Sequence, residues 1–233
     1  MFATTRWTIV LAAGDRHNRD SRQALETLCG TYWTPVYSFV RRRGHSADEA
    51  QDLTQGFFTR LLEKQSLAAA NRERGKFRSF LLSSVKNYLA NEWDRSQAQK
   101  RGGGTTAVPI DAESAERLYS PVRAPQESPE KIFERRWAAA LVEQVFSRMR
   151  QDAQRAGRLK AFERIKAFLT GEAAGVRYQD VAEELDLSEA AVKVRVHRLR
   201  RRFGDLLRQE VAQTVQSPDQ VEAEIRYLFS AVE

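Results

Sequence analysis

Five side chains between Lys193 and Arg201 have the types and spacing of a surface that grips a polyanion. Lys193, Val194, His197, Arg198 and Arg201 stand three or four residues apart, so a helix would gather them on one face. Their chemistry is non-covalent. An arginine fork pairs with a phosphate or with the edge of guanine, an ammonium with a phosphate, and a valine packs on a base or sugar. Arg195, Arg200 and Arg202 flank the face, and Val192, Val196, Leu199 and Phe203 form the apolar side behind it. The plainer alternative is an amphipathic helix whose basic face is simply solvated.

The elements that must position this face favour the first reading. Tyr178–Phe203 reads as two short helices joined by a tight turn. Val181, Ala182 and Leu185 recur at helical spacing in the first, with Asp180, Glu183 and Glu184 left for solvent. Asp186 and Leu187 make the turn. Ser188 is a good N-cap and joins the candidate contact set, and Glu189 complements the helix dipole behind it. An acidic helix, a turn and a basic second helix form the pattern of a helix-turn-helix set for the DNA major groove.

Composition points the same way. The 233 residues contain 38 Lys plus Arg against 31 Asp plus Glu, a formal charge of +7. That excess favours a nucleic-acid partner over a membrane surface, although many proteins are this basic. One cysteine, Cys29, excludes an internal disulfide framework, and with three histidines it leaves no zinc set. No stretch approaches a membrane span, and the first twenty residues lack a signal-peptide pattern. Cytoplasmic localisation, no cofactor and no membrane insertion are the expectations. No Walker loop, nucleophile–base pair or metal cluster is present, which argues against an enzyme.

Apolar residues recur at three and four nearly throughout. Two helices are expected from Ser21 to Arg43, interrupted near Gly30–Pro35 and ended by Gly44, with Leu25, Leu28, Tyr32, Val36, Tyr37 and Val40 buried. Ser46 caps the next helix, which buries Ala50, Leu53, Phe57 and Leu61 and leaves Asp52, Gln55, Phe58 and Leu62 on an adjoining strip. Periodicity alone makes Phe58 a second edge of the core. A further helix follows Gly75, with Phe77, Phe80, Leu81, Val85 (or Ser84), Tyr88, Leu89 and Trp93 inward. Lys76, Arg78, Lys86, Asn87, Asn91 and Arg95 decorate its other side. Cations and amides beside aromatics can hold unpaired bases, although a solvated face is the simpler reading.

Gly102–Gly104 and four prolines up to Pro129 mark a linker. Roughly thirty residues reach on the order of 100 Å when extended. Ser128-Pro129-Glu130 starts a long helix with Ile132, Phe133, Trp137, Leu141, Val145 (or Phe146) and Met149 on one face. Leu159–Leu169 gives another. Beyond Gly204 lie LLRQEVAQTV, a break at Ser217-Pro218, and a final helix with Val221, Ile225, Leu228 and Phe229 inward.

Taken together, these segments resemble a known family. Val36-Tyr37-x-Phe39-Val40-Arg41-Arg42-Arg43-Gly44, Glu49 through Phe58, Phe80-Leu81-Leu82 with Val85-Lys86-Asn87, and Tyr178-x-Asp180-Val181-Ala182 through Val192-Lys193-x-Arg195 are similar to motifs of the extracytoplasmic-function (ECF) sigma factors of bacterial RNA polymerase. The likeness covers about residues 21–97 and 131–203. It implies that Asp52, Gln55, Phe58 and Leu62 dock on core RNA polymerase. It also implies that Lys76, Arg78, Lys86, Asn87, Asn91 and Arg95 capture the downstream (minus-ten) promoter element. Ser188, Lys193, Val194, His197, Arg198 and Arg201 would then read the upstream (minus-thirty-five) element. Two positions depart from the family: Gln51 stands where most members are acidic, and Gly56 costs a helix about 1 kcal/mol relative to Ala. Arg6-Trp7-Thr8 and the tail Glu210–Leu228 are similar to a branch associated with serine/threonine kinases. That makes Thr54 and Thr59 candidate phosphorylation sites, and a kinase or an anti-sigma protein a candidate partner.

The expected fold is all-α, with two small helical domains joined by a flexible linker. Residues 1–97 form a sigma region 2-like domain and 98–129 the linker. Residues 130–203 form a region 4-like domain with the helix-turn-helix, and 204–233 a helical extension. The expected function is promoter-directed transcription initiation with core RNA polymerase and promoter DNA as partners. The alternative is a stand-alone helix-turn-helix regulator with an N-terminal dimerisation or sensing domain.

Overall fold

A computed structural model describes residues 21–63, 76–99, 127–170 and 175–231, with side chains described for these except at 21–29, 62–63, 96–99 and 170. The fold is all-α. Its helices are α1 (Ser21–Arg42), α2 (Ala47–Glu63), α3 (Phe77–Gln99), α4 (Pro129–Arg155), α5 (Leu159–Thr170), α6 (Tyr178–Glu184), α7 (Glu189–Ala212) and α8 (Val221–Ser230), with a single 3-10 turn at Pro218–Gln220 before α8. Arg6-Trp7-Thr8 and residues 100–126, most of the expected linker, lie outside the described residues, as do the side chains of Leu25, Leu28 and Cys29.

Local chemistry sets most of the helix ends. Gly44 adopts a positive φ of 97° and donates to the Arg41 carbonyl, closing α1. Ser46 and Glu49 form a reciprocal cap on α2: the Glu49 amide donates to Ser46 Oγ at 3.3 Å and the Ser46 amide to Glu49 Oε2 at 2.9 Å. These bonds hold the Glu49 carboxyl below the usual range. Ser128 caps α4 ahead of Pro129, its Oγ accepting from the Lys131 amide at 3.3 Å.

One expected boundary is absent. α1 runs unbroken through Gly30 and Pro35. A proline inside a helix removes a hydrogen bond and costs about 3 kcal/mol in an isolated helix. Here Tyr32, Trp33, Val36, Tyr37, Phe39 and Val40 are all buried around it, and their packing outweighs that cost.

Contacts group the chain into two compact units, Met1–Ala140 with Val211–Glu233, and Leu141–Glu210. The sequence boundaries expected above fall instead at 129/130 and 203/204. In the first unit an aromatic core joins α1, α3 and the start of α4. Tyr32 stacks on Trp137 at 4.3 Å, Phe77 lies 5.3 Å from Tyr32, and Phe39 meets Phe133 edge-on. In the second unit Ile165, Val181, Ala182, Val192 and Val196 form a core, with Phe168, Tyr178, Leu185, Leu187 and Leu199 packed against it.

Several inward expectations hold: Ala50, Phe57, Leu61, Phe77, Leu81, Val85 and Leu89 are buried. Trp93 is not, at 64 % exposed, and Phe229 is 44 % exposed while Glu224 takes a buried place on α8. Gly204 does not end a helix either, since α7 continues through it to Ala212.

Candidate nucleic-acid interface

The basic face proposed first lies on α7. The turn Leu185–Ser188 joins α6 to α7, with Asp186 at a positive φ of 53°. Asp and Asn tolerate that conformation better than other side chains do. Ser188 caps α7, its Oγ accepting from the Ala191 amide at 3.2 Å. On α6, the Arg177 amide and guanidinium both donate to Asp180, and these bonds hold the Asp180 carboxyl below the usual range.

With Val192 and Val196 turned into the core, Lys193, Val194, Arg195, His197, Arg198 and Arg201 are all exposed. Val194, at 48 %, is an apolar side chain set among cations. Lys193 pairs with Glu189 at 2.6 Å one turn back and lies over the Tyr178 ring. That hydrogen bond raises the Lys193 pKa. Arg202 is tied to Asp152 at 3.1 Å and Arg200 donates to the Phe168 carbonyl at 3.2 Å. Arg195, His197, Arg198 and Arg201 have no ion pair among the described residues. They form an available cationic strip of donors.

The second candidate face, on α3, is arranged differently. Asn87, Asn91 and Arg95 are exposed, and Arg95 pairs with Glu92 at 2.9 Å. Asn87 and Asn91 line a recess of about 230 Å³ with Phe57, Arg60, Ser84 and Tyr88. Arg60, which the sequence reading did not single out, lies over the Tyr88 ring and pairs with Glu92 at 3.3 Å. Desolvation and Glu92 push the Tyr88 hydroxyl up to about 12, so it stays a neutral donor.

The remaining cations of this set are engaged inside the chain. Lys86 pairs with Glu130 at 2.7 Å. Lys76 pairs with Glu224 Oε2 at 2.6 Å. Arg78, expected on the surface, is buried, donating to Glu224 at 2.6 Å and to Glu134 at 2.7 Å beneath the Tyr227 ring. Burial works against its charge, but the two carboxylates outweigh that and raise its pKa. Sequence reading missed Glu224, although it shares the three-and-four spacing of Val221 and Leu228 and so stood on the buried stripe.

On α2 the strip expected to dock on a partner is split. Asp52 is exposed and Gln55 half-buried. Phe58 is buried, 3 % exposed, and stacks on Trp33 at 5.9 Å. The apolar face of α2 is wide enough to seat it beside Phe57, so it supports the surface from beneath. Leu62 lies in α2, but its side chain is outside the described ones. Thr54 is fully buried and its hydroxyl has no hydrogen-bond partner among the described residues. A kinase cannot reach it in this fold, which corrects the expectation of a phosphorylation site there; Thr59 is exposed.

Residues 30–99 match the family of sigma-70 region 2. This stretch of the chain is similar to sigma-70 region 2. It spans most of α1, all of α2 and α3, and hence the Asp52–Gln55 strip and the Asn87–Asn91 recess. Region 2 is a transcription-initiation module that engages core RNA polymerase and promoter DNA, and the match supports that role here. No curated protein and no solved structure gave a significant match. Among the described residues no helix is long and apolar enough to cross a membrane, and no group of His, Cys, Asp or Glu is placed to hold a metal.

Proposed function

We propose that the protein is an ECF-type sigma factor that binds core RNA polymerase in the cytoplasm and directs it to specific promoters. One observation carries the reading. A region 2 match shares its chain with a separate helix, α7, that follows a capped turn and exposes Arg195, His197, Arg198 and Arg201. A polymerase-docking module joined to a groove-sized cationic helix is the minimum needed to choose a start site.

In this reading α6 and α7 form a helix-turn-helix over the upstream element. Lys193, His197, Arg198 and Arg201 face bases or phosphates, Val194 touches a base or sugar, and Ser188 fixes the start of the helix. Asn87, Asn91 and Arg95 face the downstream strand beside the Tyr88 recess. Asp52 and Gln55 face the polymerase. Functionally the chain divides into region 2, a linker, a region 4-like domain and a helical extension, while by packing residues 129–140 and the extension from 211 group with region 2. A kinase or an anti-sigma protein acting on the exposed parts of region 2, Thr59 included, completes the set of partners.

The test is co-elution of the purified chain with core RNA polymerase, followed by run-off transcription from a pool of promoter fragments. Promoter-specific transcripts that depend on the chain are the expected result. Tight binding to duplex DNA without any association with polymerase would instead identify a stand-alone regulator.

A further inference from the structure

The N-terminal end of α3 is built like an anion site and is already filled by the chain itself. Three groups that commonly hold a phosphate converge there: the first amide of a helix, an ammonium and a guanidinium. The Phe77 amide donates to the Thr214 carbonyl at 3.0 Å. Lys76 and Arg78 both bind the Glu224 carboxylate at 2.6 Å. Tyr227 closes the cluster, its ring 4.3 Å from the Arg78 guanidinium and its hydroxyl donating to Glu134 at 2.6 Å.

We propose that the segment Thr214–Tyr227 is an acidic cover laid by the chain over the cationic end of its own region 2, and that nucleic acid must displace it to reach Lys76 and Arg78. The proposal rests on the reading that this end of α3 faces a promoter strand. The exchange needs no chemistry beyond a change of partner: each cation leaves a carboxylate for a phosphate, and counterions leave the DNA.

The cover is also lightly held. α8 has only ten residues, too few for a stable helix on its own. Val221 and Leu228 are its buried apolar anchors, while Tyr227 and Phe229 face outward. Its polar attachment rests on Glu224, the same group that occupies the cations, and on the Tyr227 hydroxyl bond to Glu134. An element with few apolar anchors and one charged one is the kind that opens first.

The test uses the full chain and three proteins: wild type, Glu224→Gln, and Asp219→Asn. The last makes the same charge change on a carboxylate turned toward Ser217. Each is titrated with a fluorescein-labelled single-stranded oligonucleotide of mixed sequence over a range of salt. Glu224→Gln should bind several-fold tighter than the other two. Its dependence of log K on log salt should match that of the other two, because all three neutralise the same phosphates once the cover has moved. Hydrogen exchange on the wild type provides a measurement free of any folding defect: amides of Val221–Ser230 should lose protection when the oligonucleotide is added. Equal affinity for all three proteins, or α8 protection unchanged by saturating oligonucleotide, overturns the cover. If wild type also fails to initiate transcription with polymerase, the sigma-factor reading falls with it. Normal initiation alongside unchanged affinities removes the cover alone.

Discussion

Tyr88 lays its hydroxyl where a side chain on Gly56 would begin. Gly56 sits in the interior of α2 and Tyr88 on α3, so the two helices are keyed together at that point. The Tyr88 ring meets Phe57 edge-on at 5.8 Å and lies under Arg60. A glycine that looked like a departure from family pattern is thus a close approach of two helices. Gly56→Ala should gain about 1 kcal/mol of helix propensity and lose about 2 kcal/mol to displacement of the ring. Urea denaturation should show a net loss of about 1 kcal/mol, recovered when Tyr88→Phe is combined with it.

Thr54 offers a stability test of its own. Its hydroxyl is buried without a partner among the described residues, a desolvation cost of about 1–3 kcal/mol that valine of the same shape would avoid. Thr54→Val should raise the unfolding midpoint by the equivalent of about 1 kcal/mol. Thr54→Glu, which buries a charge at the same place, should leave α2 unable to pack, seen as loss of cooperative unfolding.

Glu224 makes the first unit acid-sensitive. Desolvation pushes its carboxyl up, but hydrogen bonds and charges from Arg78 and Lys76 outweigh this and hold it below the usual glutamate range. Glu134 from α4 and Tyr227 from α8 complete the groups that face it. A depressed folded pKa means the contribution is complete above the ordinary glutamate pKa and is lost as pH falls through the depressed value. Removing one partner of a buried pair costs about 3 kcal/mol. The stability gap between wild type and Glu224→Gln should therefore be about that size and flat at neutral pH. Below the ordinary glutamate range it should shrink, as followed by thermal unfolding across a pH series.

On α7 the arginines should separate by role. Arg198 is exposed with no ion pair among the described residues, whereas Arg202 is tied to Asp152. Arg198→Ala should cost about 1–3 kcal/mol of discrimination between promoter and scrambled duplex. Arg202→Ala should weaken both alike, and by less. Footprinting or anisotropy on the two duplexes, with polymerase present, measures the difference.

The parts of this fold that were legible in the sequence are those encoded locally. Ser46 with Glu49, Ser128 before Pro129, Ser188 before Glu189 and Gly44 after α1 each set a helix end through neighbours within four residues. The outward face of α7 was legible for the same reason, because Val192 and Val196 specify the inward one. Three things were not. Pro35 reads as a break, since a local rule cannot see the aromatic packing that holds α1 straight. Thr54 and Trp93 lie at the margins of helix faces, where a step of 100° per residue leaves inside and outside undecided until a neighbour is known. Arg78 reads as solvated because its partner Glu224 stands 146 residues away, and no pattern in the chain joins them.

That same separation sets a schedule during synthesis. A ribosome adds about 5–20 residues each second, so Glu224 emerges on the order of ten seconds after Arg78. Until Glu134 emerges both cations at the head of α3 lack a carboxylate, and from then until Glu224 appears Lys76 still lacks one while Arg78 holds Glu134 alone. Trp137, which fills the aromatic core, arrives earlier. A chain arrested before Thr214 should therefore be collapsed but adhesive toward RNA, and emergence of Thr214–Tyr227 would quench that stickiness.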